Sequence, residues 1–111
     1  MIMGKTASTT LAWSFKSELS QDEMLRRLEA RWPSVWAISD GHRHGDYVAG
    51  KLTPEAAARI YEDGPRFVVH LRFSSASGDV KLQLLQAQQR LIVEVLPLVG
   101  ARDVAPTEPL D

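Results

Sequence analysis

The alternation of hydrophobic and polar residues is strongest in segment 66–73, and it predicts a β-strand. The large hydrophobic residues fall on one side of an extended chain, namely Phe67, Val69, Leu71 and Phe73. The other side carries Val68, His70 and Arg72. This period of two, rich in β-branched and aromatic residues, is typical of a sheet strand. It indicates a sheet with one buried face and one partly polar face.

Three further strands are predicted before this one. The first is a run in which Leu11, Trp13 and Phe15 alternate with smaller or polar residues. The other two, over 35–39 and 47–52, flank a loop whose Asp-Gly and Gly-Asp pairs are turn signals and so predict a hairpin. Four hydrophobic residues of this hairpin are expected to face the core: Trp36, Ile38, Val48 and Leu52.

Helix signals occur at three places. Ser20 and Glu23 form a capping-box pattern that begins a helix, and Pro33 ends it. Thr53 followed by Pro54 resembles a second helix start, with Glu55 favourable for the helix dipole. The inner face of this second helix would be Ala57, Ile60 and Tyr61, and Gly64–Pro65 would end it.

The last predicted helix runs from Asp79 to about Leu96 and is the longest. Its main hydrophobic stripe is formed by Val80, Leu84, Ala87, Leu91 and Val95. Leu82, Leu85 and Val93 lie outside this stripe, so the apolar arc is wider than one packing surface requires. Large hydrophobic patches on a surface mark interaction sites, which favours a protein partner or self-association here. The alternative is that the helix buries all of these apolar residues against the sheet and the other helices of its own chain.

The predicted order β-α-β-β-α-β, followed by the long helix, indicates an α+β protein. The first six elements match a ferredoxin-like, split βαβ sheet, and the last helix is an addition at the C-terminal end. We expect a flexible N-terminus over 1–8, a single domain over 9–100 and an extended C-terminal tail over 101–111. A length of 111 residues agrees with one domain.

Composition excludes several function classes. Thirteen basic against fourteen acidic residues give a net charge of −1, which argues against a nucleic-acid partner. There is no cysteine, so disulfides and thiolate chemistry are excluded. No apolar run has the roughly 18 residues of a membrane span, and no secretion signal is visible. The sequence therefore predicts a cytoplasmic protein with no membrane partner.

The polar face of the predicted sheet carries the first candidate binding residues, Tyr47, Lys51, His70 and Arg72. With Lys16 on the same face, the three cations and His70 suit an anionic ligand or an RNA backbone, but polar residues on a half-exposed sheet are more often simply solvated. Ferredoxin-like RNA binders place stacking aromatics on this face, and here only Tyr47 qualifies. His70 has the right chemistry for a general base, yet no catalytic motif accompanies it.

The hairpin loop carries Asp40, His42, His44 and Asp46 at every second position. Imidazole and carboxylate groups suit zinc, provided that the ligands converge. Asp and Gly residues also serve the geometry of a turn, and we favour that interpretation. We predict no metal site and no cofactor.

The sequence thus supports two functional hypotheses. The preferred one is a non-catalytic intracellular protein-binding module, of the adaptor or toxin-immunity kind, that acts through a helix and sheet surface including Leu82 and Leu85. The alternative is a small cofactor-independent enzyme or ligand-binding protein, with a pocket between sheet and helices around His70.

Overall fold

Six strands in the described residues, 7–41 and 43–110 of this computed structural model, form one antiparallel sheet. In chain order the strands are β1 (Ala7–Lys16), β2 (Trp36–Ser39), β3 (Tyr47–Thr53), β4 (Ala56–Asp63), β5 (Arg66–Ser75) and β6 (Arg102–Thr107). Their order across the sheet is β2-β3-β4-β5-β1-β6. The protein is therefore α+β, as predicted.

Two helical regions pack on one face of this sheet. Helix α1 (Gln21–Arg31) begins with the predicted capping box, in which the Ser20 hydroxyl accepts from the Glu23 amide and the Glu23 carboxylate accepts from the Ser20 amide. The last helix begins at Asp79, whose carboxylate accepts from the Leu82 amide. It has three consecutive segments: α2 (Val80–Gln89), a π-helical segment (Arg90–Val95) and α3 (Leu96–Leu98).

The predicted second helix is wrong, because this segment is strand β4. The signals at Thr53 and Pro54 belong to a tight turn between β3 and β4, in which the Thr53 hydroxyl accepts from the Glu55 amide. Ala58 and Ile60 point into the core and Arg59 to the other face, so the segment also has a period of two. Pairing with strands on both sides outweighs the helix propensity of its alanines.

This extra strand changes the topology, so the strand order is not that of a ferredoxin-like sheet. Strands β3, β4 and β5 form a continuous antiparallel meander. Helix α1 connects β1 to β2, which lies at the far edge of the sheet, three strands away from β5. The last helix connects β5 to β6, which lie on the two sides of β1.

The core lies between the helices and one face of the sheet. The alternating residues of β5 that were predicted to face inward, Phe67, Val69, Leu71 and Phe73, are all buried. Trp36 and Gly50 are paired across β2 and β3, and a Cβ atom on Gly50 would overlap the Trp36 indole. Glycine is therefore required at this position so that the indole can lie flat on the sheet.

The π-helical segment has a local cause in Pro97. A proline has no amide hydrogen, and its ring clashes with the carbonyl group four residues earlier in an α-helix. The preceding amide, that of Leu96, bonds instead to the Leu91 carbonyl, which widens the turn. The helix ends at Gly100 (φ 70°), with the two hydrogen bonds of a Schellman motif.

The segment predicted as an extended C-terminal tail is largely strand β6, which pairs with β1. A bulge occurs where Asp103 has a positive φ of 52°. The Arg66 guanidinium holds this bulge by donating to the Asp103 carbonyl (2.7 Å). Across residues 7–41 and 43–110, the structure contains no helix long and apolar enough to cross a membrane.

Candidate functional site

The sheet face opposite the helices carries the polar residues predicted from the sequence. Tyr47 pairs with Tyr61, and Lys51 pairs with Ala57, which in turn lies beside Arg72. His70 pairs with Arg59 on one side and with Ala12 on the other. We call this surface the helix-free face. It brings His70 and Arg72 together, whereas Lys51, within β3, is separated from Arg72 by Ala57.

An aromatic cluster covers the middle of the helix-free face. The ring centroids of Tyr47 and Tyr61 are 5.1 Å apart, and those of Tyr61 and His70 are 5.0 Å apart. His44, from the hairpin loop, contacts the Tyr61 ring edge-on at 5.9 Å. The Arg59 guanidinium lies over the Tyr47 ring at 4.8 Å, within the range of a cation–π contact. These contacts hold Arg59 and His70 in defined positions.

A pocket of about 290 Å³ opens beside this cluster. We call it the basic pocket, and it is lined by Thr10, His44, Arg59, Tyr61, His70, Arg72, Pro109 and Leu110. Two arginines and two histidines thus line a small volume, and none of its lining residues within 7–41 and 43–110 is acidic. The pocket lies between the sheet and the C-terminal segment, and no residue of the helices described above is in its lining.

The C-terminal segment forms one wall of the basic pocket. The Leu110 amide donates a hydrogen bond to Nε2 of His70 (2.9 Å). Thr107 is the last residue paired with β1, opposite Ala12. The three residues that follow can extend about 10 Å, which is the distance from β6 across β1 to β5. This crossing explains why His70 (7% exposed) and Ala12 (4% exposed) are buried on a face without helices.

Burial of His70 lowers its pKa from the usual value of 6.5. The positive fields of His44, Arg72 and Arg59 act in the same direction. The bond from Leu110 agrees with this shift, because Nε2 accepts a hydrogen bond only when it carries no proton. His70 is therefore neutral at pH 7, with Nε2 engaged by the chain.

The hairpin loop shows no convergence of metal ligands in the part of the chain that the structure describes. His42 lies outside the described residues, so the hypothesis of a site that includes it stays untested. Asp40 and Asp46 lie close enough that hydrogen bonding and repulsion between them raise the pKa of Asp46. His44 points instead to Tyr61 and the basic pocket.

A second candidate site lies on the last helix. Four large hydrophobic side chains are exposed there: Leu82 (52%), Leu85 (61%), Ile92 (38%) and Val93 (61%). We call this surface the apolar ridge. Leu85, Ile92 and Val93 line one shallow depression together with Gln88 and Gln89. The sequence predicted excess hydrophobic residues at 82, 85 and 93, and the described part of the chain leaves all three exposed.

An apolar groove of about 380 Å³ lies close to the ridge. Its walls include Trp32, Val35, Trp36, Leu52 and Val95, with Lys51 and Arg90 at its border. A shallow depression that includes Thr53, Gln89, Arg90 and Val93 connects the groove with the ridge. Protruding and recessed apolar surfaces are thus neighbours on one side of the molecule.

Sequence reasoning missed Arg59, Tyr61 and the residues that close the basic pocket. Arg59 and Tyr61 were assigned to a helix, although their alternation with Ala58 and Ile60 also fits a strand. No sequence signal indicated that Leu110 would bond to His70, since the contact joins residues that are distant in the chain.

A comparison with models of known protein families gave no match, and a comparison with curated proteins gave no match.

Proposed function

We propose that this protein is a non-catalytic protein-binding module, and that the apolar ridge is its docking surface. The observation that carries the proposal is the exposure of Leu82, Leu85 and Val93 on a helix whose other face packs against the core. A buried leucine contributes roughly 1.5–3 kcal/mol relative to an exposed one. A partner that covers the ridge recovers this free energy.

The favoured occupant is a second copy of this chain. The depression at Leu85 and Val93 is bordered by the uncharged Gln88 and Gln89, so two copies of it meet without repulsion. Arg90 is paired with Glu94 (3.3 Å), which neutralises the nearest charges. In a twofold dimer each protomer offers the same surface, and a protruding ridge beside a groove is able to complement itself.

The test is sedimentation equilibrium of the parent protein and of Leu85→Lys over a wide concentration range. We expect a dimer in the parent. The dissociation constant of the variant dimer should be at least tenfold higher, because a twofold interface contains the substitution twice. Val104→Lys is the matched control, since Val104 is also exposed (41%) but lies on β6. Thermal unfolding of each variant checks that the fold is retained.

A parent that stays monomeric over this range contradicts self-association through the ridge. Gross unfolding of Leu85→Lys would mean that the ridge belongs to the core, and it would contradict the proposal as well. The cytoplasmic location and the adaptor or toxin-immunity class stay predictions from the sequence.

A second candidate function is ligand binding at the basic pocket. The specific observation is that His70, Arg59 and Arg72 all line one small cavity. Catalysis by His70 is less favoured, because its Nε2 accepts the Leu110 amide and is not open to a substrate proton.

A further inference from the structure

We propose that the basic pocket binds a small organic oxyanion, a carboxylate or a phosphate, and that the C-terminal segment responds to its binding. This inference deepens the second candidate function and rests on it. It is independent of the apolar ridge, which lies on the helix-covered side of the sheet.

The two arginines of the pocket contrast with the slightly negative net charge of the chain. The net charge is −1, yet the eight lining residues include two arginines, two histidines and no acid. Four ion pairs join other basic and acidic residues of the described chain, while neither Arg59 nor Arg72 belongs to one. Two guanidinium groups close together on one face repel one another, and an anion between them relieves that repulsion.

The two arginines are placed for a shared ligand. Arg59 lies directly opposite His70 in the sheet, and Arg72 follows His70 by two residues on the same face. The neighbours of Arg72 across the sheet are Ala57 and Thr10, which are small and leave its guanidinium exposed. A guanidinium presents paired donors that match the two oxygens of a carboxylate or a phosphate.

The size of the pocket selects a small ligand. A volume of about 290 Å³ is at the lower end of the range for small-molecule sites. The Tyr61 and His70 rings give one side of the pocket a flat, partly apolar surface that suits the carbon skeleton of an organic acid. The Thr10 hydroxyl is a further hydrogen-bonding group of the lining.

The C-terminal segment reports on the ligand because it is bonded to His70. An anion beside the imidazole favours the protonated ring. A protonated Nε2 is a donor and no longer accepts from the Leu110 amide, so the bond of 2.9 Å is lost. Binding therefore loosens the segment after Thr107, while β6 itself stays paired with β1.

The experiment is a titration of the ¹⁵N-labelled full chain, followed by two-dimensional NMR. Inorganic phosphate is one probe and sodium acetate the other, each at constant ionic strength, with sodium chloride as the reference salt. We expect saturable shifts of the Leu110 amide and of the Arg59 and Arg72 side-chain Nε–H signals. Saturation by phosphate alone supports a phosphate ligand, by acetate alone a carboxylate ligand, and by both a general oxyanion site.

Arg72→Gln is the test variant, because its exposed side chain has no part in the core. We expect about tenfold weaker binding of the probe, as is typical for loss of a hydrogen bond between charged groups. Arg27→Gln is the control, since Arg27 is an exposed arginine on α1 at the other side of the sheet. The dispersion of the amide spectrum shows directly whether each variant is folded.

Shifts that do not saturate, or that chloride reproduces, overturn the oxyanion site. Equal binding by Arg72→Gln and the parent also overturns it. A parent that dimerises through the ridge but shows no saturable shift contradicts this inference alone, so the two proposals fail separately.

Discussion

At the scale of single residues, His70 shows how a residue on the polar face of a strand becomes buried. The alternation in β5 placed it correctly on the polar face, opposite the buried Val69 and Leu71. The alternation did not reveal that this polar face is covered at His70. Coverage comes from Leu110 and Tyr61, and contacts between segments so distant in sequence leave no local pattern.

The lowered pKa of His70 makes the stability of the protein depend on pH. The unfolded state binds a proton near pH 6.5 while the folded state resists it, so this contribution is fully present above pH 6.5 and is lost as pH falls below it. We expect the difference in unfolding free energy between the parent and His70→Gln to be constant above pH 6.5. Below pH 6.5 the unfolding free energy of the parent should fall relative to that of His70→Gln.

Urea unfolding of both proteins at several pH values measures this difference. Glutamine is a suitable replacement because its side-chain oxygen can still accept from the Leu110 amide. A difference that stays constant down to pH 5 would show that His70 titrates normally in the folded protein.

At the scale of secondary-structure elements, the sequence signals for the start of a helix were correct at one place and wrong at another. The pattern at Ser20 and Glu23 was a correct prediction, since both hydrogen bonds of the capping box are present. A similar signal at Thr53 marked a turn between strands instead. Serine and threonine hydroxyls accept from nearby amides in both settings, so only the pairing partners of the following segment decide between them.

Ser20→Ala should lower the unfolding free energy by about 1 kcal/mol, because the Glu23 amide loses its acceptor at the start of α1. Ser20→Thr is the matched control, since its hydroxyl can make the same bond. Denaturant melts of the three proteins compare them. If the alanine and threonine variants were equally stable, the cap would contribute nothing.

At the scale of the whole molecule, the sequence predicted the α+β class and the buried face of the sheet but not its topology. Assigning segment 56–63 to a helix removed the central strand β4, and a ferredoxin-like order followed from that single error. The same segment carries Arg59 and Tyr61, so the error also hid two of the eight residues that line the basic pocket. Its alanines are compatible with both states, and neighbouring strands β3 and β5 determine the outcome.

A hydrogen bond from the Leu110 amide to His70 holds the C-terminal segment against the helix-free face. Leu110→Pro removes this bond without shortening the chain. Proline has no amide hydrogen to donate to His70. We expect the His70 pKa to rise toward 6.5, because the segment that buries the imidazole is released. Titration of the His70 ring signals by NMR measures this change. Pro109→Ala, which keeps the Leu110 amide, is the control, and equal pKa values in the two variants would contradict the role of the bond.

The position of β1 in the sheet has a consequence for how the chain folds. Strand β1 is the first of the six strands in sequence, yet it pairs with β5, for example through Leu11 and Leu71. The meander of β3, β4 and β5 needs only short turns. Pairing of β1 with β5 requires the closure of a long loop, which costs more chain entropy and is therefore expected later in folding. We therefore expect the meander to form first and to provide the template on which β1 pairs, and β6 to pair afterwards with the edge of β1. We therefore expect the basic pocket, whose wall follows β6, to be the last part of the molecule to form.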